Sequence, residues 1–180
     1  MTRDYLSIAE RYINSIDSSK CWDELPPSIF FLNDQKVFMG YFGWDSNPER
    51  FVVLNAAGIF IKEMKIEFYM IIHEGWMLKL KKPEQSHDYK YGDATNHPER
   101  IETLCFVAKD LLKKKTINRI WKIKEGREII SFEKAYPELD KQPIENSGDL
   151  SSLENFLNPV IGMMEAAKVL RIEDVSTEFQ

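Results

Sequence analysis

The sequence predicts an α+β protein, a single domain over residues 1–180, in which a mainly antiparallel sheet is packed by helices near 4–16, 49–65 and 151–170. Three observations lead there. In those stretches apolar side chains recur at three- and four-residue spacing. Between them the chain alternates with period two, most cleanly where Ile66, Phe68, Met70 and Ile72 fall on one side and Glu67, Tyr69, Ile71 and His73 on the other. Turn-forming pairs, Asn33-Asp34 and Glu125-Gly126, separate apolar strands, as antiparallel neighbours require. A chain of 180 residues, 43% hydrophobic and 29% charged, is long and apolar enough for one sizeable core.

Taken in order, Tyr5, Ile8, Ala9, Tyr12, Ile13 and Ile16 form the stripe of an amphipathic helix, which either joins the helical layer or meets another chain. Pro26-Pro27 bars any helix there, and Ile29–Leu32 with Val37–Phe42 predicts a hairpin. Asn47-Pro48-Glu49 opens a helix, with Asn47 as cap. The apolar blocks 51–54 and 59–61 around Gly58 also admit a hairpin, and the helix is the favoured reading. The strand from Ile66 carries Glu74 on its apolar face, next to a Gly75 that suits a bulge. A polar stretch follows from Lys79 to Arg100. Ile101–Asp110 is apolar on both faces, as a central strand would be. A meander continues through 116–124 and 128–132. Ser151 or Ser152 caps a short helix, Asn158-Pro159 restarts it, and 174–180 reads as a frayed acidic end.

Net charge is −5, which argues against a general nucleic-acid binder. The charges are segregated, however. Residues 1–75 hold 7 Lys/Arg against 11 Asp/Glu, residues 76–127 hold 13 against 7, and residues 128–180 hold 4 against 11. The basic middle either neutralises its acidic flanks in the fold or forms an anion-binding face. No apolar run reaches the roughly 18–20 residues of a membrane helix, and the N-terminus has no signal-peptide core. No membrane association is expected. Two cysteines, Cys21 and Cys105, read as reduced thiols in a cytoplasmic compartment.

Chemistry has one natural place to gather. Glu74, His97, Arg100 and Glu102 bring carboxylates, an imidazole and a guanidinium to the two ends of the 79–100 stretch, with Trp76 beside them. Arg100 is the expected partner of Glu74, because its fork binds a carboxylate at two points. The structural reading is an ion cluster fastening a loop to the sheet; the functional one is a hydrolase or nuclease site. His73, His87 and His97, with Asp88, Asp93, Glu99 and Glu102, are acceptable metal ligands without a metal-binding spacing, so no metal is expected and no cofactor is implied. Nucleophile elbows, phosphate loops and paired-cysteine motifs are absent. Lys114, Lys122 and Lys124 around Trp121 offer charge and stacking for nucleic acid, although Trp121 and Lys122 must face opposite sides of a strand.

The segments His73-Glu74-Gly75-Trp76 and His97-Pro98-Glu99-Arg100-Ile101-Glu102 resemble a group of small uncharacterised phage and mobile-element proteins, in which Glu-x-Trp ends one strand and Pro-acidic-Arg-x-Glu opens the next. The resemblance implies that Glu74, Trp76, Arg100 and Glu102 lie together in space, and it carries no activity. The favoured reading is a non-enzymatic binding or regulatory protein with a protein partner, a homodimer included. A hydrolase using Glu74, His97, Arg100 and Glu102, and nucleic-acid binding through residues 113–127, are the alternatives.

Overall fold

A computed structural model describes residues 4–19, 21–23, 26–44, 46–78, 97–136, 150–157 and 162–179. The fold is α+β. Seven strands form one sheet in the order β6-β5-β4-β3-β1-β2-β7, and each neighbouring pair is antiparallel. They are β1 (Ser28–Leu32), β2 (Val37–Tyr41), β3 (Phe68–Met77), β4 (Ile101–Asp110), β5 (Lys115–Ile123), β6 (Ile129–Ser131) and β7 (Glu173–Asp174). The helices are α1 (Tyr5–Ser18), α2 (Asn47–Glu63), α3 (Phe132–Ala135) and α4 (Met163–Val169).

Strand alternation divides the core in two. Ile29, Phe31, Phe38, Tyr69, Ile71 and Val107 face α2, α4 and a 3-10 turn at Leu150–Asn155. Leu32, Val37, Phe68, Met70, Ile72, Leu104, Phe106 and Trp121 face α1. The N-terminal helix therefore neither joins the other helices nor waits for another chain; it covers the opposite side of the sheet. It is pinned near both ends. Tyr5 stacks on Phe68 at 5.3 Å and gives its hydroxyl proton to Glu67 Oε2 at 2.5 Å. At the far end the Trp121 indole N–H donates to Asp17 Oδ1 at 2.7 Å.

Residues 47–63 are a helix, not a hairpin, and the ambiguity has a physical cause. Val53, Leu54, Ala56, Ala57, Ile59, Phe60 and Ile61 are all buried, so α2 is apolar around most of its circumference and shows little amphipathic period. Its cap is Ser46, not Asn47: Ser46 Oγ accepts the Glu49 amide at 3.4 Å, with Pro48 in the first turn. Gly58 lets the 150–155 turn lie directly against α2. A Cβ there would stand 1.9 Å from the Phe156 carbonyl oxygen and 2.7 Å from that of Leu153. The same turn is tied to the sheet by Glu154, which accepts hydrogen bonds from Lys109 and from the Tyr69 hydroxyl.

Other boundaries move. The β3 strand begins at Phe68 rather than Ile66, and its register with β4 runs unbroken from Phe68↔Asp110 to Met77↔Ile101, so Gly75 makes no bulge. Only Ile129–Ser131 forms β6, and the chain then turns into α3. The expected helix at 151–157 is a 3-10 turn, and the Asn158-Pro159 restart lies outside the described residues. The end is not frayed through residue 179. Asp174 pairs in register with Phe38, Val175 is buried and donates its amide to the Val37 carbonyl at 2.9 Å, and a 3-10 turn follows at Ser176–Phe179. Lys36 and Ser176 bind the Asp174 carboxylate and hold its pKa down, to about 2. No helix among the described residues is long and apolar enough to cross a membrane.

Gly58→Ala tests the helix contact. Alanine gains about 1 kcal/mol of helix preference over glycine, yet two backbone carbonyls occupy the space its methyl needs. A net loss of about 2 kcal/mol or more is expected in urea denaturation; equal or higher stability would show that the turn does not lie on the helix as described.

Candidate functional site

Glu74 continues the apolar α1-side face of β3, and its carboxylate needs partners there. The partner is Arg127, not Arg100. Gly126 (φ 75°) and Arg127 (φ 63°) both adopt left-handed backbone in the turn between β5 and β6, which folds the Arg127 side chain back across the sheet. Its Nη1 donates to Glu74 Oε2 at 3.1 Å and to Glu102 Oε1 at 3.1 Å, Nη2 donates to Glu74 Oε1, and Nε donates to the Trp22 carbonyl at 3.1 Å. At least four of the five guanidinium N–H groups are thus engaged. Trp22 completes the cluster: its indole N–H reaches Glu74 Oε1 at 3.1 Å, and its amide donates to the Arg127 carbonyl at 2.9 Å.

The register explains the meeting. Trp76 stands opposite Glu102 and Glu74 opposite Leu104, so both carboxylates rise from the same face at the same end of the sheet. The Glu74 side chain is 22% exposed and its two oxygens already accept three N–H donors. The arrangement holds four chain segments together. Both Glu74 oxygens are occupied by donors of the same chain.

Arg100 and His97 lie apart from that clamp. The Arg100 guanidinium sits over the Trp76 ring, 4.0 Å from its centre, as a cation–π contact. The strand begins at Ile101, one residue after Arg100. His97 Nδ1 accepts the Glu99 amide at 3.1 Å and its carbonyl accepts the Arg100 amide, bonds within its own turn. Of the expected set, then, Glu74 and Glu102 are joined through Arg127, while Trp76 and Arg100 form a neighbouring pair.

His73 faces the other side of the sheet. Its Nδ1–H donates to the Glu74 carbonyl at 3.0 Å and its ring meets Phe42 edge-on at 6.1 Å. Burial pushes its pKa below the ordinary range, against a smaller opposing effect of that hydrogen bond. Cys105 stands across from His73, and burial pushes its thiol up, away from the nucleophilic thiolate. His87, Asp88 and Asp93 lie outside the described residues. Among the described residues no three His, Cys, Asp or Glu side chains converge as a metal site.

Among the described residues, four of the seven cations in 113–127 are matched by acid. Lys113 pairs with Asp4 and Asp110, Arg119 with Glu133, Lys124 with Glu128, and Arg127 with Glu74 and Glu102. Lys122 lies over the Tyr136 ring at 5.1 Å, and Lys114 is exposed at the β4–β5 turn. Trp121 is 1% exposed, so it is a core residue and offers no stacking face.

Two measurements probe these environments. Arg127→Lys keeps the charge but cannot span two carboxylates and a carbonyl; a loss of about 1–3 kcal/mol in denaturation is expected, and a change near zero would refute the clamp. For His73, the unfolded imidazole titrates near 6.5 and the folded one lower. As pH falls through that value the unfolded chain takes up the proton first, so this contribution is whole above about pH 7 and is lost below it. The stability difference between pH 7.5 and 5.5, values chosen to bracket that reference, should be smaller in His73→Gln than in the parent.

Comparison with known proteins gives no matching family model, no similar curated protein and no similar solved structure.

Proposed function

We propose that this chain works by binding another protein rather than by catalysis. The observation that carries the reading is the apolar surface of the helical layer. Phe51 (56% exposed) and Val52 on α2, Leu157 after the 3-10 turn, and Met163 and Met164 (74% exposed) on α4 all present large apolar side chains to solvent. Exposed apolar groups gathered on one layer favour an interface, whereas single ones scattered over a surface need no explanation. Aromatic and methionine side chains are also those enriched at interface cores.

The Glu74–Arg127–Glu102 cluster supports the same reading, because its groups are occupied with one another. Among the described residues, four of the seven cations in 113–127 face carboxylates of the same chain, which leaves Lys114, Lys115 and Lys122 as the charge nucleic acid would meet. A reducing, cytoplasmic setting suits the two free thiols. The partner is either a second copy of this chain or a different protein.

Sedimentation velocity over a wide concentration range separates those two. For a homodimer, Phe51→Asp with Met164→Asp should leave stability within about 0.5 kcal/mol, as surface changes do, and convert dimer to monomer. For a different partner, the parent stays monomeric, and a photo-crosslinker at position 51 or 164 should capture one specific protein that the same probe at Lys115 does not. A monomer whose crosslinks are the same at all three positions would sink the proposal.

A further inference from the structure

Beyond that surface lies a cleft of about 240 Å³ at the edge of the α1 side of the sheet, between the end of α1, strands β5 and β6, and α3. We propose that it binds a small zwitterion of the α-amino acid class. The protein-binding reading does not use this site, and the two stand or fall separately.

Opposite charges line the cleft. Asp17 belongs to the last turn of α1, where the helix dipole is negative and no basic residue compensates it. One of its oxygens accepts the Trp121 indole N–H, and among the described residues no ion pair neutralises the carboxylate. That corner favours an ammonium group. Lys134 also lines the cleft, and among the described residues no carboxylate pairs with it. Arg119 gives Nη1 to Glu133 at 3.2 Å, while its Nε is shielded from water and has no acceptor. An unsatisfied N–H on a charged group is costly. A carboxylate that drew the guanidinium toward the cleft would relieve it. Lys134 and Arg119 together favour a carboxylate end.

The rest of the lining fits what joins those two groups. Ile129 and Ile130 add apolar residues to the lining, and Ser131 a polar one. The volume lies below the roughly 300–1,000 Å³ of pockets for drug-sized ligands, which suits one amino acid better than a peptide or nucleotide. Asp17 does not reach Lys134 or Arg119 as an ion pair, so both signs remain available at once.

The test is an NMR titration of the Trp121 indole N–H, whose proton is held by Asp17. The probes are glycine, L-leucine and L-phenylalanine, followed by N-acetyl-leucine, which lacks the ammonium, and leucine methyl ester, which lacks the carboxylate. A saturable shift with at least one free amino acid is expected, and affinity about tenfold lower or worse for both blocked forms of leucine. In Asp17→Asn, which keeps an acceptor for the indole, leucine and N-acetyl-leucine should become equal. In Lys134→Met the advantage of leucine over its ester should shrink. No shift with any of the three amino acids would overturn the proposal. So would N-acetyl-leucine or the ester binding the parent as well as leucine does, because a single charge would then suffice. Should a variant fail to fold, the blocked ligands on the parent protein still decide the matter.

Discussion

The guanidinium of Arg127 is the constraint on which this end of the molecule depends. It joins the segment after α1 through the Trp22 carbonyl, β3 through Glu74, β4 through Glu102, and its own turn between β5 and β6. Without it, two carboxylates would stand diagonally on the same face of neighbouring strands, and like charges that close repel. The left-handed backbone at Arg127 is the unfavourable part of the arrangement, costing about 1–2 kcal/mol for a residue with a Cβ. Four hydrogen bonds with ionic character offset it. The geometry is thus a local strain held in place by long-range partners, and its logic is architectural.

Much of this fold was legible because the strands obey a simple period. Alternation assigns residues 68–73 to their two faces correctly and places Glu74 on the α1 side, but it fails before the strand begins: Ile66 packs with Tyr69 and Ile71 on the α2 side, and Glu67 meets Tyr5 of α1. Four of the boundaries that shifted, at Ser46, Phe68, Ile129 and Leu150, lie at element ends, where capping and pairing compete over one or two residues. The partner of Glu74 was not legible. Arg100 stood closer in the sequence, whereas Arg127 is separated from Glu74 by 53 residues and reaches it only through the registers of β3–β4 and β4–β5 and the left-handed turn. One signal was available: an arginine immediately after the Gly126 turn. The Trp121 environment was half legible, since its parity with Arg119 excluded a shared face with Lys122 and Lys124.

The two faces of the sheet are specialised differently. One carries three helical elements packed so closely that Gly58 must have no side chain, and it presents large apolar groups outward. The other carries α1, pinned at both ends, with α3 at its edge and the Arg127 cluster and the Arg100–Trp76 pair at one end. The segregated charge of the sequence resolves in the same way. Among the described residues, Lys109, Lys113, Arg119, Lys124 and Arg127 of the basic middle each meet a carboxylate of the same chain.

The placement of β7 bears on the order in which the chain folds. Strands β1 to β3 can pair once residue 77 is present, and β4 to β6 form a meander by local closures, which are kinetically easy. The outer edge of β2 is different, because its partner is Glu173–Asp174, more than 130 residues further along. During synthesis that edge stays open until residue 174 has emerged, and an open strand edge is a template for pairing with other chains. The short C-terminal strand, held by Lys36 and Ser176 through Asp174, is therefore the closing stitch of the sheet as much as a part of it.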